Sequence, residues 1–243
     1  MKQYLSALII SIAAIVAVLL LSNAYKYKFK SQETISVVGL AETDFTSDLI
    51  VWEGSFSRKS MELKEAYALL KVDENEIRAY LKGQGIPDSS IIFTAVDITK
   101  EVTQVYDKAG NIAGSNFAGY TLTQKVKIES MNIDKVEKLS REVTGLIEKG
   151  IEFNSSTPLY FYTKLAGLKM DLLAKASADA KERAETIAKS AGSNLGSVQK
   201  ATMGVFQITG KNKNEDFSYG GSFNTEDKYK TASVTIRMEY KVN

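Results

Sequence analysis

The chain has 243 residues, 44% of them hydrophobic and 25% charged, with no cysteine, no histidine and a formal net charge of +2. That is enough chain to bury a sizeable core, and too apolar for a disordered tail. Without cysteine there is no disulfide framework, thiolate nucleophile or Cys-ligated metal, and without histidine the commonest general base and transition-metal ligand are gone. Composition leaves open a carboxylate site for a hard cation, a Ser-Lys mechanism or a two-carboxylate mechanism. Lys2, Lys26, Lys28 and Lys30 precede residue 31 with no acid among them, so the remaining 27 basic and 29 acidic side chains leave the rest at about −2. No basic footprint remains for nucleic acid, and no nucleic-acid partner is expected.

The first element is apolar. Leu5 to Leu21 reads LSALIISIAAIVAVLLL, uncharged and with Ser6 and Ser11 as its polar members. At 1.5 Å per residue a helix from Tyr4 through Ala24 is roughly 31 Å long, the thickness of a bilayer core. Tyr4 at one end and Tyr25 and Tyr27 at the other suit the two interfaces. Residues 1–24 are therefore expected to be an N-terminal membrane anchor or signal segment, with contact to the membrane through 4–24, and 25–32 a basic linker. Ser22-Asn23-Ala24 also has the small residues of a cleavage site, so secretion after cleavage near Ala24 is the alternative. The flanking lysines do not set the orientation, but either reading exports the domain beyond, to the periplasmic or extracellular side.

From Glu33 short strands and amphipathic helices alternate. Thr34 to Gly39 and Asp48 to Arg58 read as strands; in the second, Ile50, Trp52, Gly54 and Phe56 share one face. Met61 to Lys82 reads as a helix through Leu63, Ala66, Tyr67, Leu70, Ile77 and Leu81, stopped by Gly83 and Gly85 before Pro87. Ile91 to Tyr106 and Gly119 to Glu129 form a long hairpin around Asp107 to Asn111, with Leu122, Gln124, Val126 and Ile128 on one face. A helix over 132–149 ends at Gly150, and a strand over 151–163 leads into a long helix over 164–191 that ends at Gly192. Gly196 to Ile208 and Tyr229 to Val242 are the last strands, separated by a polar loop over 210–228. A strand, helix, strand and strand unit thus occurs twice, over about 47–130 and 150–242. The expected fold is an α+β sandwich, mainly antiparallel sheet with helices on one face.

Several strings carry a resemblance. Leu173 to Val198, LAKASADAKERAETIAKSAGSNLGSV, has an Asp-Ala pair at Asp179-Ala180, then Arg183-Ala184, Ala191-Gly192 and Gly196. Gly85-Ile86, Ile91 to Thr94 and Gly119-Tyr120 add shorter matches. Together these resemble the SIMPL domain family of bacterial envelope proteins over about residues 33 to 242, and 33–243 is taken as one SIMPL-like α+β domain. The chain departs from the family at Ser47-Asp48, where a proline often precedes the aspartate, and in its 210–228 loop. The resemblance implies an exported α+β domain, ring-like or channel-like oligomers in some members, and links to oxidative or envelope stress in others. It supplies no catalytic residues, and the kinase-signalling role of a eukaryotic member is not transferred to an anchored chain.

Candidate sites are few. Asp179 and Arg183 suit an i,i+4 ion pair. The alanines at 176, 180, 184, 188 and 191 form a small-residue stripe suited to close core packing, with an oligomer seam as the alternative. Asp171, Asp179, Glu182 and Glu185 share the helix but no metal-ligand spacing. Phe217, Tyr219, Phe223 and Tyr229 suit either an adaptable recognition surface or a plain connector. Ser155, Ser156 and Thr157 before Pro158 lack the context of a nucleophile turn. No catalytic, cofactor-binding or metal-ligating residue is therefore assigned, and no cofactor is expected. The expected function is that of a non-enzymatic, membrane-anchored envelope protein, forming a homo-oligomer or binding an unknown envelope protein partner, in oxidative or envelope stress tolerance. A binding module for a small apolar or glycan ligand and a carboxylate or Ser-Lys hydrolase are the alternatives.

Overall fold

The computed structural model describes residues 2–30, 33–213 and 218–243. Helix α1 (Lys2–Lys30) is uniformly apolar through its middle, and its window Ile10–Tyr27 has the length and composition to cross a membrane. A signal sequence meets the same test. Its described side chains are exposed, as suits a helix whose solvent is lipid.

The remaining elements are strands β1 (Thr34–Thr46) and β2 (Leu49–Ser60), helix α2 (Leu63–Gly83), strands β3 (Ile91–Phe93), β4 (Asp97–Tyr106) and β5 (Ile112–Ser130), and helix α3 (Ile133–Glu142). Strands β6 (Phe153–Ser155) and β7 (Leu159–Phe161), helix α4 (Leu165–Ser190) and strands β8 (Leu195–Met203), β9 (Gln207–Gly210), β10 (Ser222–Phe223) and β11 (Tyr229–Val242) complete the chain. The class is α+β with two mostly antiparallel sheets, as the alternation of periods anticipates.

In one sheet β5 pairs with β2 on one side and with β3 and β4 on the other, while β6 and β7 pair with the far edge of β2. Ile50, Trp52 and Phe56 from β2 and Leu122, Val126 and Ile128 from β5 pack under Leu70, Ile77 and Leu81 of α2 and Val136 of α3. The period-two and period-3.6 stripes of the sequence are thus the core of this half. Two members of the expected α2 stripe, Leu63 and Tyr67, are exposed instead. The buried face turns toward Asp73 and Glu74, which find cationic partners there.

In the other sheet β11 pairs with β1 along all 13 residues of β1 and, on its opposite side, with β8 and β9. Helix α4 covers this sheet with Leu172, Ala176, Ala180 and Ala184 against Val37, Val234 and Ile236. The close approach is fixed at Gly39, where an added Cβ would lie 2.2 Å from the Ala176 carbonyl and 2.6 Å from the Ala180 amide. The alanine stripe is core packing. Ala191, beyond the helix, is exposed.

The second repeat unit is completed differently from the expected order. Its long strand partner is β1, brought from the start of the folded region, and residues 49–161 form the first sheet as an insertion between β1 and α4. The 151–163 segment forms two three-residue strands on β2. Pro158 interrupts it, so it cannot offer the continuous ladder that β1 offers β11.

Local breaks also have local causes. The single strand expected over 91–106 divides because three residues separate Phe93 from Asp97 while two separate their partners Val126 and Thr123. This extra residue is a bulge. The helix expected over 132–149 leaves the α form at Val143 and continues as a 3-10 run to Lys149. Thr144 and Gly145, poor helix formers, sit at the change. At the hairpin tip Asp107 Oδ1 accepts from the Ala109 and Asn111 amides, and Gly110 takes φ +83, which glycine allows.

Candidate functional site

The chain crosses between the two halves at Ser47-Asp48 and at Tyr162 to Lys164, and polar side chains concentrate there. Thr163 donates its amide and its hydroxyl to the Asp48 carboxylate, both at 2.7 Å. Lys228 Nζ donates to Asp134 Oδ1 at 2.6 Å and lies 3.6 Å from Glu137 Oε2. The Asp134 bond, reinforced by Glu137, raises the Lys228 pKa above the ordinary ammonium value. Tyr160 donates its hydroxyl to Glu137 at 2.9 Å, and burial together with that carboxylate pushes its pKa up to about 12.

Lys230 is the most deeply placed cation among the described residues. It is 2% exposed, and its Nζ donates to the carbonyls of Tyr160 and Asn224, each at 2.6 Å. Beside these contacts lies an open groove of about 930 Å³, lined by Asp48, Asn132, Asp134, Lys164, Lys228 and Tyr229 among others. Its acids and lysines balance, and the paired ones already hold one another. Among the described residues Ser47 Oγ, buried at its edge, has no hydrogen-bond partner. The arrangement suits holding the halves together or receiving a neutral polar group.

The residues singled out from the sequence are scattered rather than gathered. Asp179 Oδ2 accepts from Arg183 Nε at 2.8 Å and also from the Leu40 amide at 2.9 Å, a bond that the i,i+4 reading did not contain. The Leu40 amide and then Arg183 lower the Asp179 pKa below the ordinary carboxylate value. Asp171 pairs with Lys175 and Glu185 with Lys181. Among the described residues no three metal-ligating side chains converge. Ser155 Oγ accepts from Trp52 Nε1 and donates to the Ser140 carbonyl, which occupies it structurally. Tyr219 is 95% exposed, Phe223 and Tyr229 are exposed too, and Lys228 Nζ sits 5.9 Å from the Tyr229 ring centre. Phe217 lies outside the described residues.

Three buried charges went unread in the sequence. Arg58 of β2 clamps Asp73 through Nε and Nη2 at 2.5 and 2.7 Å and reaches the Gly150 carbonyl. The Asp73 bond raises the Arg58 pKa despite burial. Burial works to raise the Glu74 pKa, but Lys71, with Gln124 and Arg78, outweighs it and leaves the value lowered. No local pattern announces Asp73, whose partner lies on another element. Lys230 did have a signal: it shares the inward parity of Ala232, Val234 and Ile236.

The family model that matches is SIMPL, described as a protein of unknown function (DUF541), over residues 35–242. No curated protein matches the chain. The match spans both sheets and every described strand, from the second residue of β1 to the last of β11, and the chain therefore belongs to the SIMPL family.

Proposed function

We propose that this is a non-enzymatic envelope protein, anchored by α1 with its folded domain exported, that acts by assembling with further copies or with an envelope partner. The observation that carries the reading is the β4–β5 arm. Nearly every residue of β4 is exposed, as are Ile112 to Phe117 of β5, so the outer part of this hairpin is a two-stranded ribbon without a covering layer. Ile98, Val102, Tyr106 and Ile112 are each more than half exposed along it. A two-stranded ribbon is marginal by itself, and exposed apolar side chains along an uncovered ribbon suit an interaction site. A role in oxidative or envelope stress tolerance is the setting the family resemblance adds.

Light scattering on the full chain in detergent, as it elutes from a sizing column, tests the assembly. The expected result is a multimer that Val102→Ser with Ile112→Ser converts to a monomer while the unfolding transition stays unchanged. A monomer at high concentration in the unaltered chain removes self-assembly. A second reading, the glycan half of the binding-module alternative, rests on the seam groove beside Tyr229. Saturable glycan binding that Tyr229→Ala abolishes supports it.

A further inference from the structure

The free edge of β1 is independent of the arm. In the unbroken antiparallel ladder from Thr34 to Thr46, alternate residues turn both backbone groups toward β11 and the others turn both away. The Leu40 amide is bonded to Asp179, so the outward set includes Ser36 and Val38 as well. Among the described residues the Ser36 and Val38 amides have no partner. β1 carries neither proline nor lysine, the usual devices that blunt an edge.

The edge is also walled. Next to Ser36, Val37 and Val38 runs an open groove of about 750 Å³ whose other side is Asp179, Glu182, Arg183, Thr186 and Ile187 of α4. Gly39 clamps the helix onto the sheet at one end, and Asp179 closes that end by occupying the Leu40 amide. Beyond it the groove stays open alongside Ser36 to Val38, where the outward backbone groups of β1 face it. Strand addition between a sheet edge and a helix takes affinity from main-chain bonds and specificity from alternate side chains.

The walls state what those side chains are. Ile187 is 47% exposed on the helix side, and Val38 and Leu40 are 44% and 43% exposed on the other face of the edge. Arg183 is neutralised by Asp179, and among the described residues no ion pair engages the Glu182 carboxylate, so the charged residues lining the groove sum to −1. We propose that the β1 edge and α4 form a docking groove for an extended peptide segment of alternating apolar and basic residues, which adds as a strand beside Ser36 to Val38 and pairs a lysine or arginine with Glu182.

The probe is a short capped peptide of alternating valine and lysine, labelled for anisotropy, added to the full chain in detergent. Binding is expected, with slower amide exchange at Ser36 and Val38. Val38→Pro removes an outward amide that serves no ladder bond, and amide exchange at Val37, whose backbone faces β11, checks that the sheet survives. This variant is expected to weaken binding at least about tenfold. Glu182→Gln weakens it several-fold, and a valine and glutamate peptide binds at least about tenfold more weakly than the lysine one. Absent protection at Ser36 and Val38, unchanged binding to Val38→Pro, or equal binding of the two peptides overturns the proposal.

Discussion

Asp179 illustrates how one carboxylate serves two elements. On its own helix it holds Arg183, and across the sheet edge it accepts the Leu40 amide that β11 cannot reach. Its folded pKa is lowered, so the stability it contributes is fully present above the unfolded value of 3.8 and is lost as pH falls through the folded one. Hydrogen exchange followed against pH is therefore expected to show Leu40 protection that is constant above pH 3.8 and declines below it, with the decline absent in Asp179→Asn. The sequence spacing announced the Arg183 pair, because i and i+4 meet on any helix. The Leu40 bond was invisible, since it spans 139 residues and depends on where α4 crosses the sheet.

For the elements, periodicity is a good guide to which face is buried and a poor one to what lies opposite. The alanines of α4 fall inward as a four-residue repeat, and small side chains there allow contact at backbone distance. The matching feature, Gly39, sits in a strand where a glycine alone is uninformative. Gly39→Ala is expected to destabilise the chain by at least about 2 kcal/mol, because its methyl would overlap helix backbone rather than a side chain able to move. Urea unfolding followed by circular dichroism measures this, and a loss within about 0.5 kcal/mol, the range of ordinary surface changes, would mean that α4 shifts without penalty. Tyr67 and Asp73 teach the same lesson in α2. The stripe identified the helix, and its buried face centres on Leu70, Asp73 and Ile77, where Arg58 of β2 pairs with Asp73.

The whole molecule is held by an exchange of strands and a polar seam. Because β1 pairs with β11, the half built on β2 and β5 is an insertion, and the two crossings are tied by Ser47 donating to the Lys228 carbonyl and Asp48 donating to that of Phe161. Lys230 adds a tie between the halves, joining Tyr160 to Asn224. Its replacement Lys230→Met keeps the apolar stem and removes the donor, leaving the part-buried Tyr160 and Asn224 carbonyls short of a bond. A loss of about 1 to 3 kcal/mol in chemical unfolding is expected, with faster amide exchange at Tyr160, whose amide donates to the Thr225 carbonyl. Unchanged exchange there would show that the seam does not need the lysine.

Local order thus determined much of this protein before any tertiary contact: an apolar N-terminal helix of membrane length, the three helices that follow it, the inward faces of β2 and β5, and the absence of thiol and imidazole chemistry. These depend on side-chain period and composition, which act between near neighbours. The tertiary structure alone decided that β1 closes the second sheet, that Asp73 and Glu74 are buried, and that β1 keeps a free edge beside α4. Each depends on a partner far away in sequence, because strand pairing and buried charge are satisfied in space, and a local pattern contains no record of the group that arrives to complete it.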